Sequence, residues 1–135
     1  MIRMYYISTA VEGLAAKDYD EILGKARKNN SKLGVTGLLV VKGGFFAQAL
    51  EGEEQDVMEL FEKIKLDKRH YRVVMISRKE VQERIFQDWE MGFKDINVSV
   101  DCADVDLNDP KYVEHPELLD RAFRHVIEVE TSKHG

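Results

Sequence analysis

The feature that most restricts the fold is a pair of glycines, Gly43 and Gly44, that separates two apolar segments of similar length. Residues 35–42 and 45–51 are rich in β-branched, apolar and aromatic side chains, which favour strands. Two adjacent glycines readily adopt the positive φ angles that a two-residue hairpin turn requires. The sequence therefore predicts an antiparallel hairpin in this part of the chain.

One strand and one helix are predicted before the hairpin, and one helix and two strands after it. Residues 2–7 alternate in the manner of a strand, whereas two other segments carry apolar stripes at helical spacing. Asp18 and Glu21 have the spacing of a capping box, so the first helix is expected to begin near Asp18. In chain order, the predicted elements are strand 2–7, helix 18–30, strand 35–42, strand 45–51, helix 53–66, strand 72–77 and strand 89–93.

This order of elements indicates an α+β fold of the ferredoxin-like βαββαβ type, with a five-stranded mixed sheet and two helices on one face. Beyond residue 96 the chain becomes polar and carries both prolines, which indicates a loop. Residues 116–130 then show the apolar stripe of a helix, with Pro116 near its first position. We expect a domain over residues 1–96 and a C-terminal loop and helix extension over residues 97–135. This extension either belongs to the same domain or forms an output cap on it.

Composition argues against several classes of function. The formal net charge is -5 and no long run of Lys or Arg is present, so neither nucleic acid nor an anionic membrane is expected as a partner. No segment is apolar for long enough to span a membrane, and the N-terminus lacks the pattern of a signal peptide. The single cysteine, Cys102, and four scattered histidines predict neither a disulfide nor a metal site. We therefore expect a cytoplasmic protein without a bound metal ion.

Three polar side chains are predicted to point into the space between the sheet and the two helices. Gln48 shares a strand face with Phe46 and Leu50, Tyr6 lies on a neighbouring central strand, and Asn30 ends the apolar stripe of the first helix. Each has an ordinary explanation when taken alone, namely a satisfied core amide, a core tyrosine and a helix C-cap. Together, two amides and a phenol suit a planar heterocycle with imide edges, such as a flavin or a pterin.

The surroundings of these side chains extend this interpretation. Ile22, Leu23, Leu38 and Val40 are expected to form apolar walls around the rings of such a ligand. The charged turn over residues 67–70 either places cations near a phosphate tail or is an ordinary solvated turn.

The sequence resembles the BLUF family of blue-light sensors that use flavin. The resemblance covers residues 2–96, and five segments in family order carry it: 3–8, 28–30 followed by 35–39, 46–52, 67–70 and 86–91. Each segment is weak alone, but their joint order and spacing are specific. One departure is Ala26, which stands where many relatives carry a serine near the flavin.

The resemblance implies roles for the residues at matching positions. Tyr6 would donate an electron and a proton to the excited flavin, and Gln48 would bridge Tyr6 and the flavin. Asn30 would hold the carbonyl edge of the rings. The implied cofactor is FAD, with FMN as the alternative, and its binding residues are Tyr6, Ile22, Leu23, Asn30, Gln48, Asp67, Arg69 and His70.

The resemblance also implies how a signal leaves the site. Trp89 and Met91, expected on one face of the fifth strand, would respond when Gln48 rearranges. The C-terminal helix would receive the change. Because the sequence holds no further effector domain, we expect output through an unidentified partner protein or through a homo-oligomer, and no catalytic residues.

Two other functions compete with a light sensor. An acylphosphatase-like hydrolase shares the βαββαβ plan, but it would need an arginine in the loop after the first strand, and residues 8–13 contain none. The second alternative is a regulatory domain that binds flavin or another ligand without any response to light.

Overall fold

A computed structural model of the chain describes the backbone of residues 1–89 and 91–134, and the side chains of those residues up to residue 129. Residue 90, within the predicted strand 89–93, and residue 135, the end of the predicted extension, lie outside the described residues. The elements are β1 Ile2–Ala10, α1 Ala16–Leu33, β2 Thr36–Lys42, β3 Phe45–Gly52, α2 Glu54–Lys65, β4 His70–Glu80, β5 Gly92–Asp95, α3 Lys111–Glu114 and α4 Glu117–His134.

The strands form one five-stranded sheet in the order β4-β1-β3-β2-β5. β1 pairs antiparallel with both β3 and β4, β2 pairs antiparallel with β3, and β2 pairs parallel with β5. This arrangement confirms the predicted ferredoxin-like fold with a mixed sheet. The hairpin between β2 and β3 is also confirmed, because Gly43 and Gly44 have φ angles of 62° and 83°.

Alternate residues of the central strands serve two separate cores. On the helix-pair face, which α1 and α2 cover, Met4, Tyr6 and Leu50 pack with apolar residues of both helices. On the α4 face, Tyr5 and Ala49 pack with apolar residues of α4. The sheet is therefore covered on both sides, and α4 closes the side opposite the helix pair.

Two predictions about α1 were wrong in detail. The helix begins at Ala16, and the carboxylate of Asp18 accepts a hydrogen bond from the N–H of Ala15 at 2.8 Å, so Asp18 is the third helical residue rather than the cap. The helix also continues past Asn30 to Leu33. Gly34 ends it at a φ of 66°, because glycine adopts this left-handed conformation at less cost than asparagine does.

The predicted pocket walls at Leu38 and Val40 were wrong, since both side chains lie on the α4 face. Their neighbours Leu39 and Val41 lie on the helix-pair face instead. β2 is buried on both sides, so its apolar pattern does not indicate which residues face which layer.

The predicted strand 89–93 was also wrong, because β5 begins only at Gly92. Trp89 packs against the α4-face core, whereas Met91 belongs to the core of the helix-pair face, so the two side chains do not share one face. The indole ring of Trp89 lies where a side chain at Gly92 would begin, since a Cβ atom there would be 1.9 Å from Cε3. The carbonyl of Trp89 accepts a hydrogen bond from the N–H of Gly37 at 2.8 Å, which fixes the chain before the strand.

Candidate functional site

The centre of the site is a direct contact between two neighbouring strands. Tyr6 of β1 is paired in register with Gln48 of β3. The Tyr6 hydroxyl donates a short hydrogen bond of 2.5 Å to Oε1 of Gln48, and the two residues are only 3% and 4% exposed. Strand alternation turns both side chains toward the helix-pair face, which is why two sequence-distant residues meet there.

The other end of the Gln48 amide contacts Met91. Nε2 of Gln48 donates to Sδ of Met91 at 3.1 Å, and the Met91 carbonyl accepts from Nε of Arg27 at 3.2 Å. A thioether sulfur is a weak acceptor, so this end of the amide is held less firmly than the end bonded to Tyr6. Gln48 therefore lies in a buried chain of hydrogen bonds that runs from Tyr6 to Met91.

A cavity of about 330 Å³ opens beside this chain, between α1, α2 and the sheet. Its size is at the lower end of the usual range for small-molecule sites, and its lining combines apolar side chains with polar and charged ones. The lining residues are Tyr6, Ile22, Leu23, Lys25, Ala26, Asn29, Asn30, Leu39, Phe46, Gln48, Leu60, Lys63, Ile64, Leu66, Asp67, Arg69, His70 and Met91.

The structure brings all eight residues predicted to bind the cofactor to this one cavity, and Met91 lies there as well. Trp89 is absent from the lining among the described residues, in line with its position on the α4 face. Lys25, Lys63 and Leu60 were missed. Helical spacing could have found Leu60 and Lys63, since they lie three residues apart on α2 and share a side of the helix.

His70 is held in one tautomer by its two partners. Its Nε2 lies 2.6 Å from the carbonyl of Ile64, which can only accept, so Nε2 carries the hydrogen. In the neutral imidazole, Nδ1 then accepts the hydrogen bond from the Ser8 hydroxyl at 2.7 Å. The imidazole is thereby fixed beside Tyr6, with the ring centroids 6.2 Å apart.

The turn at the cavity rim contains an ion pair between Asp67 and Arg69. Arg69 donates two hydrogen bonds to the Asp67 carboxylate, at 3.0 and 2.9 Å, and also lies 3.6 Å from Glu21. The hydrogen bond from Arg69 lowers the pKa of Asp67 below its ordinary value, although burial opposes this. Arg69 therefore has two carboxylate partners within the protein, and Lys25 and Lys63 add cationic groups to the lining.

Burial strongly raises the pKa of the Tyr6 phenol above its ordinary value of 10.0, and the Asp67 carboxylate adds to the effect. Burial likewise raises the pKa of Tyr5, assisted by its hydrogen bond to Asp120. Both phenols are consequently neutral in the folded protein at any ordinary pH. Tyr6 therefore enters any reaction as a neutral phenol that still carries its hydroxyl proton.

Alkaline pH is expected to destabilise the fold through these two tyrosines. The unfolded chain ionises them near pH 10, whereas the folded protein keeps them neutral, so the free energy of unfolding falls as pH rises above that value. The expected slope is about 1.4 kcal/mol per pH unit for each tyrosine. Urea denaturation at several pH values measures this slope. The matched variant is Tyr6→Phe, which removes the contribution of one of the two tyrosines. Equal slopes in the two proteins would contradict the buried, neutral state of Tyr6.

Fold and site together define a ligand-binding domain of the ferredoxin-like class, with a cavity suited to a planar, hydrogen-bonding ligand. A sequence model of the BLUF family, described as sensors of blue-light using FAD, matches residues 1–92. The chain belongs to the BLUF family, a family of blue-light sensors that use FAD.

Relatives support this assignment within clear limits. The beta subunit of a photoactivated adenylate cyclase from Euglena longa is 34% identical over 87 residues, which are 64% of this chain and 10% of that protein. The alpha subunit from Euglena gracilis is 35% identical over 86 residues, 64% of this chain and 8% of that protein. The chain thus matches about a tenth of the length of these curated relatives, and their cyclase activity is not carried over to it.

Solved structures agree over a larger share of the chain. The dark state of BlrB, a BLUF protein, superposes with a TM-score of 0.74 and 28% identity, covering 90% of this chain and 93% of that one. The ground state of BlsA gives a TM-score of 0.69 at 35% identity, over 73% of this chain and 67% of that one.

Among the helices described here, none has the length and apolar character needed to cross a membrane.

Proposed function

We propose that this chain is a non-enzymatic blue-light receptor whose photochemical residues are Tyr6 and Gln48. The observation that carries the proposal is the buried chain of hydrogen bonds from Tyr6 through Gln48 to Met91, which lies along the cavity wall. The donor set fits a flavin, because amide and phenol groups face one apolar cavity. When bound, a flavin absorbs blue light and accepts an electron.

The chain's own residues supply the rest of the cycle. Tyr6 is neutral in the dark; it would give an electron and then its phenolic proton to the bound flavin, and both would return to Tyr6 when the radical pair recombines. Gln48 is left rotated, tautomerised or both, since the Met91 thioether holds its amide only weakly. A change of one hydrogen bond is worth about 1 kcal/mol, so it can only bias an element that already has two nearly balanced arrangements.

We propose FAD as the cofactor, with FMN as the alternative. Asn30 would hold the carbonyl edge of the rings, Ile22 and Leu23 would pack on their faces, and His70 would lie beside them. Lys25 and Lys63 are better placed to attract a phosphate tail than Arg69 is, because Arg69 already has two carboxylate partners.

The proposed output runs from Met91 and Trp89 through β5 to α4. From α4 it would pass to a cytoplasmic partner protein or to a second copy of this chain. Support comes from the position of α4, which covers the sheet face opposite the cavity.

The test is the absorption spectrum of the purified protein before and after blue light. We expect an oxidised-flavin spectrum that shifts slightly to the red and returns in the dark. A yellow protein with no light response would support the light-insensitive alternative instead. Chromatography of the cofactor released by heat distinguishes FAD from FMN, and FMN in a light-responsive protein would overturn only the choice of flavin.

A further inference from the structure

Glu51 of β3 is a fully buried carboxylate, 0% exposed, that the photochemical chain does not use. Its Oε2 accepts a hydrogen bond from Nε of Arg3 at 2.8 Å. Its oxygens also accept from the backbone N–H of Ile85, at 3.1 and 3.0 Å, and of Phe86, at 2.7 Å. Glu51 therefore fastens the connecting segment, residues 81–89 after β4, to the strand that carries Gln48.

Arg3 extends this contact to α4. Its Nη1 lies 3.9 Å from Oδ1 of Asp120. The same Oδ1 accepts a hydrogen bond from the Tyr5 hydroxyl at 2.5 Å, and Oδ2 accepts from Nε of Arg124 at 2.8 Å. Burial alone raises the pKa of Asp120, but the hydrogen bonds from Tyr5 and Arg124 outweigh it, so the pKa ends below its ordinary value. The carboxylate facing Arg3 is thus ionised.

Apolar contacts join the same parts of the molecule. The ring of Phe123 on α4 packs edge-on against Tyr5, with centroids 5.1 Å apart, and against Phe86 of the connecting segment, with centroids 6.2 Å apart. One helix therefore touches both β1 and the connecting segment that precedes Met91 in the chain.

We propose that Glu51 is a positioning residue that, through Arg3 and Asp120, couples the connecting segment to the docking of α4. The inference rests on the proposed function, in which Met91 responds to Gln48. A buried carboxylate that loses its backbone donors or its arginine is strongly destabilised. Movement of the connecting segment therefore displaces Arg3. The displacement of Arg3 in turn changes how α4 docks on the sheet.

Thermodynamic linkage makes this coupling reciprocal. A substitution on α4, on the opposite side of the sheet from the cavity, must therefore change the free-energy difference between the dark state and the red-shifted state. The lifetime of the red-shifted state is expected to change with it. Asp120→Asn is suited to the test, because its amide oxygen still accepts from Tyr5 while the charge facing Arg3 is lost. Arg124→Ala is the control, since it removes only the exposed partner of Asp120.

Two measurements are made on the full chain with its flavin. The first is the lifetime of the red-shifted state, and the second is amide hydrogen exchange of residues 118–126 in the dark and under blue light. We expect Asp120→Asn to change the lifetime about fivefold or more and to abolish the light-dark difference in exchange. Arg124→Ala is expected to stay within about twofold of the unaltered protein.

Glu51→Gln gives a second test. This substitution is expected to raise amide hydrogen exchange in the dark over residues 118–126, although the hydrogen-bond partners of Glu51 lie on β1 and in the connecting segment. If the Glu51→Gln protein does not fold, the Asp120→Asn result alone decides. An Asp120→Asn protein with unaltered lifetime and exchange difference would overturn the coupling while the red shift persists. Absence of any red shift in the unaltered protein would instead overturn the proposed function, and the inference with it.

Discussion

Replacing Gln48 with leucine is expected to abolish the reversible red shift completely while the protein stays folded and binds flavin. Leucine fits the apolar face that Gln48 shares with Phe46 and Leu50. It removes both the acceptor for the Tyr6 hydroxyl and the donor to Met91, so no amide remains to rearrange. The unpaired Tyr6 hydroxyl costs about 1 to 3 kcal/mol of stability. The amplitude of the light-minus-dark spectrum is the measurement, and Gln55→Leu, on the exposed side of α2, is the control.

Tyr6→Phe is expected to have the same effect on the spectrum, and the chain offers an unusually close control. Tyr5 is adjacent and equally buried, but its hydroxyl bonds to Asp120 on the α4 face. Tyr5→Phe therefore removes a buried phenol of the same kind without touching the cavity, and the red shift is expected to persist. A normal photocycle in Tyr6→Phe or in Gln48→Leu would show that the roles assigned to these residues are wrong.

Gly37→Ala is expected to destabilise the fold by about 3 kcal/mol. A Cβ atom at this position would lie 2.0 Å from the carbonyl oxygen of Ala49, which belongs to the neighbouring strand β3. The clash is with backbone, so only separation of β2 from β3 relieves it. The shift also reaches Trp89, whose carbonyl accepts from the Gly37 N–H. Urea denaturation measures the loss.

The matched control is Gly24→Ala on α1. A Cβ atom there meets nothing within 4 Å, and Gly24 lies in the exposed part of the helix. Alanine is favoured over glycine inside a helix by about 0.5 to 1 kcal/mol, so this substitution is expected to stabilise the protein. Equal effects of the two substitutions would mean that the close approach at Gly37 is not what sets its cost.

The strands that carry the site were predictable because their patterns are unambiguous. The glycine pair defines the hairpin, and a lone glutamine among apolar residues marks the face of β3 that turns toward the helices. The order of the strands then put Tyr6 and Gln48 on neighbouring central strands, whereas their pairing in register is known only from the structure. The eight proposed cofactor contacts reach one cavity, although which of them hold the flavin stays a prediction.

Other parts of the molecule could not be predicted in this way. β2 is apolar on both faces, so alternation could not tell Leu38 from Leu39. Trp89 and Met91 are separated by a local contact between the indole ring and Gly92, which no periodicity reveals. Charged side chains such as those of Arg3 and Glu51 are usually exposed to solvent, yet these two form a buried pair. Long-range packing decides each of these cases.

The adjacent tyrosines of β1 also limit how this protein can change in evolution. Tyr6 packs on the helix-pair face and Tyr5 packs on the α4 face, with one peptide bond between them. Loss or gain of a single residue in β1 would exchange the two phenols and every other side chain of the strand between the layers. β1 can therefore vary by substitution, whereas insertions and deletions are confined to the loops that flank it.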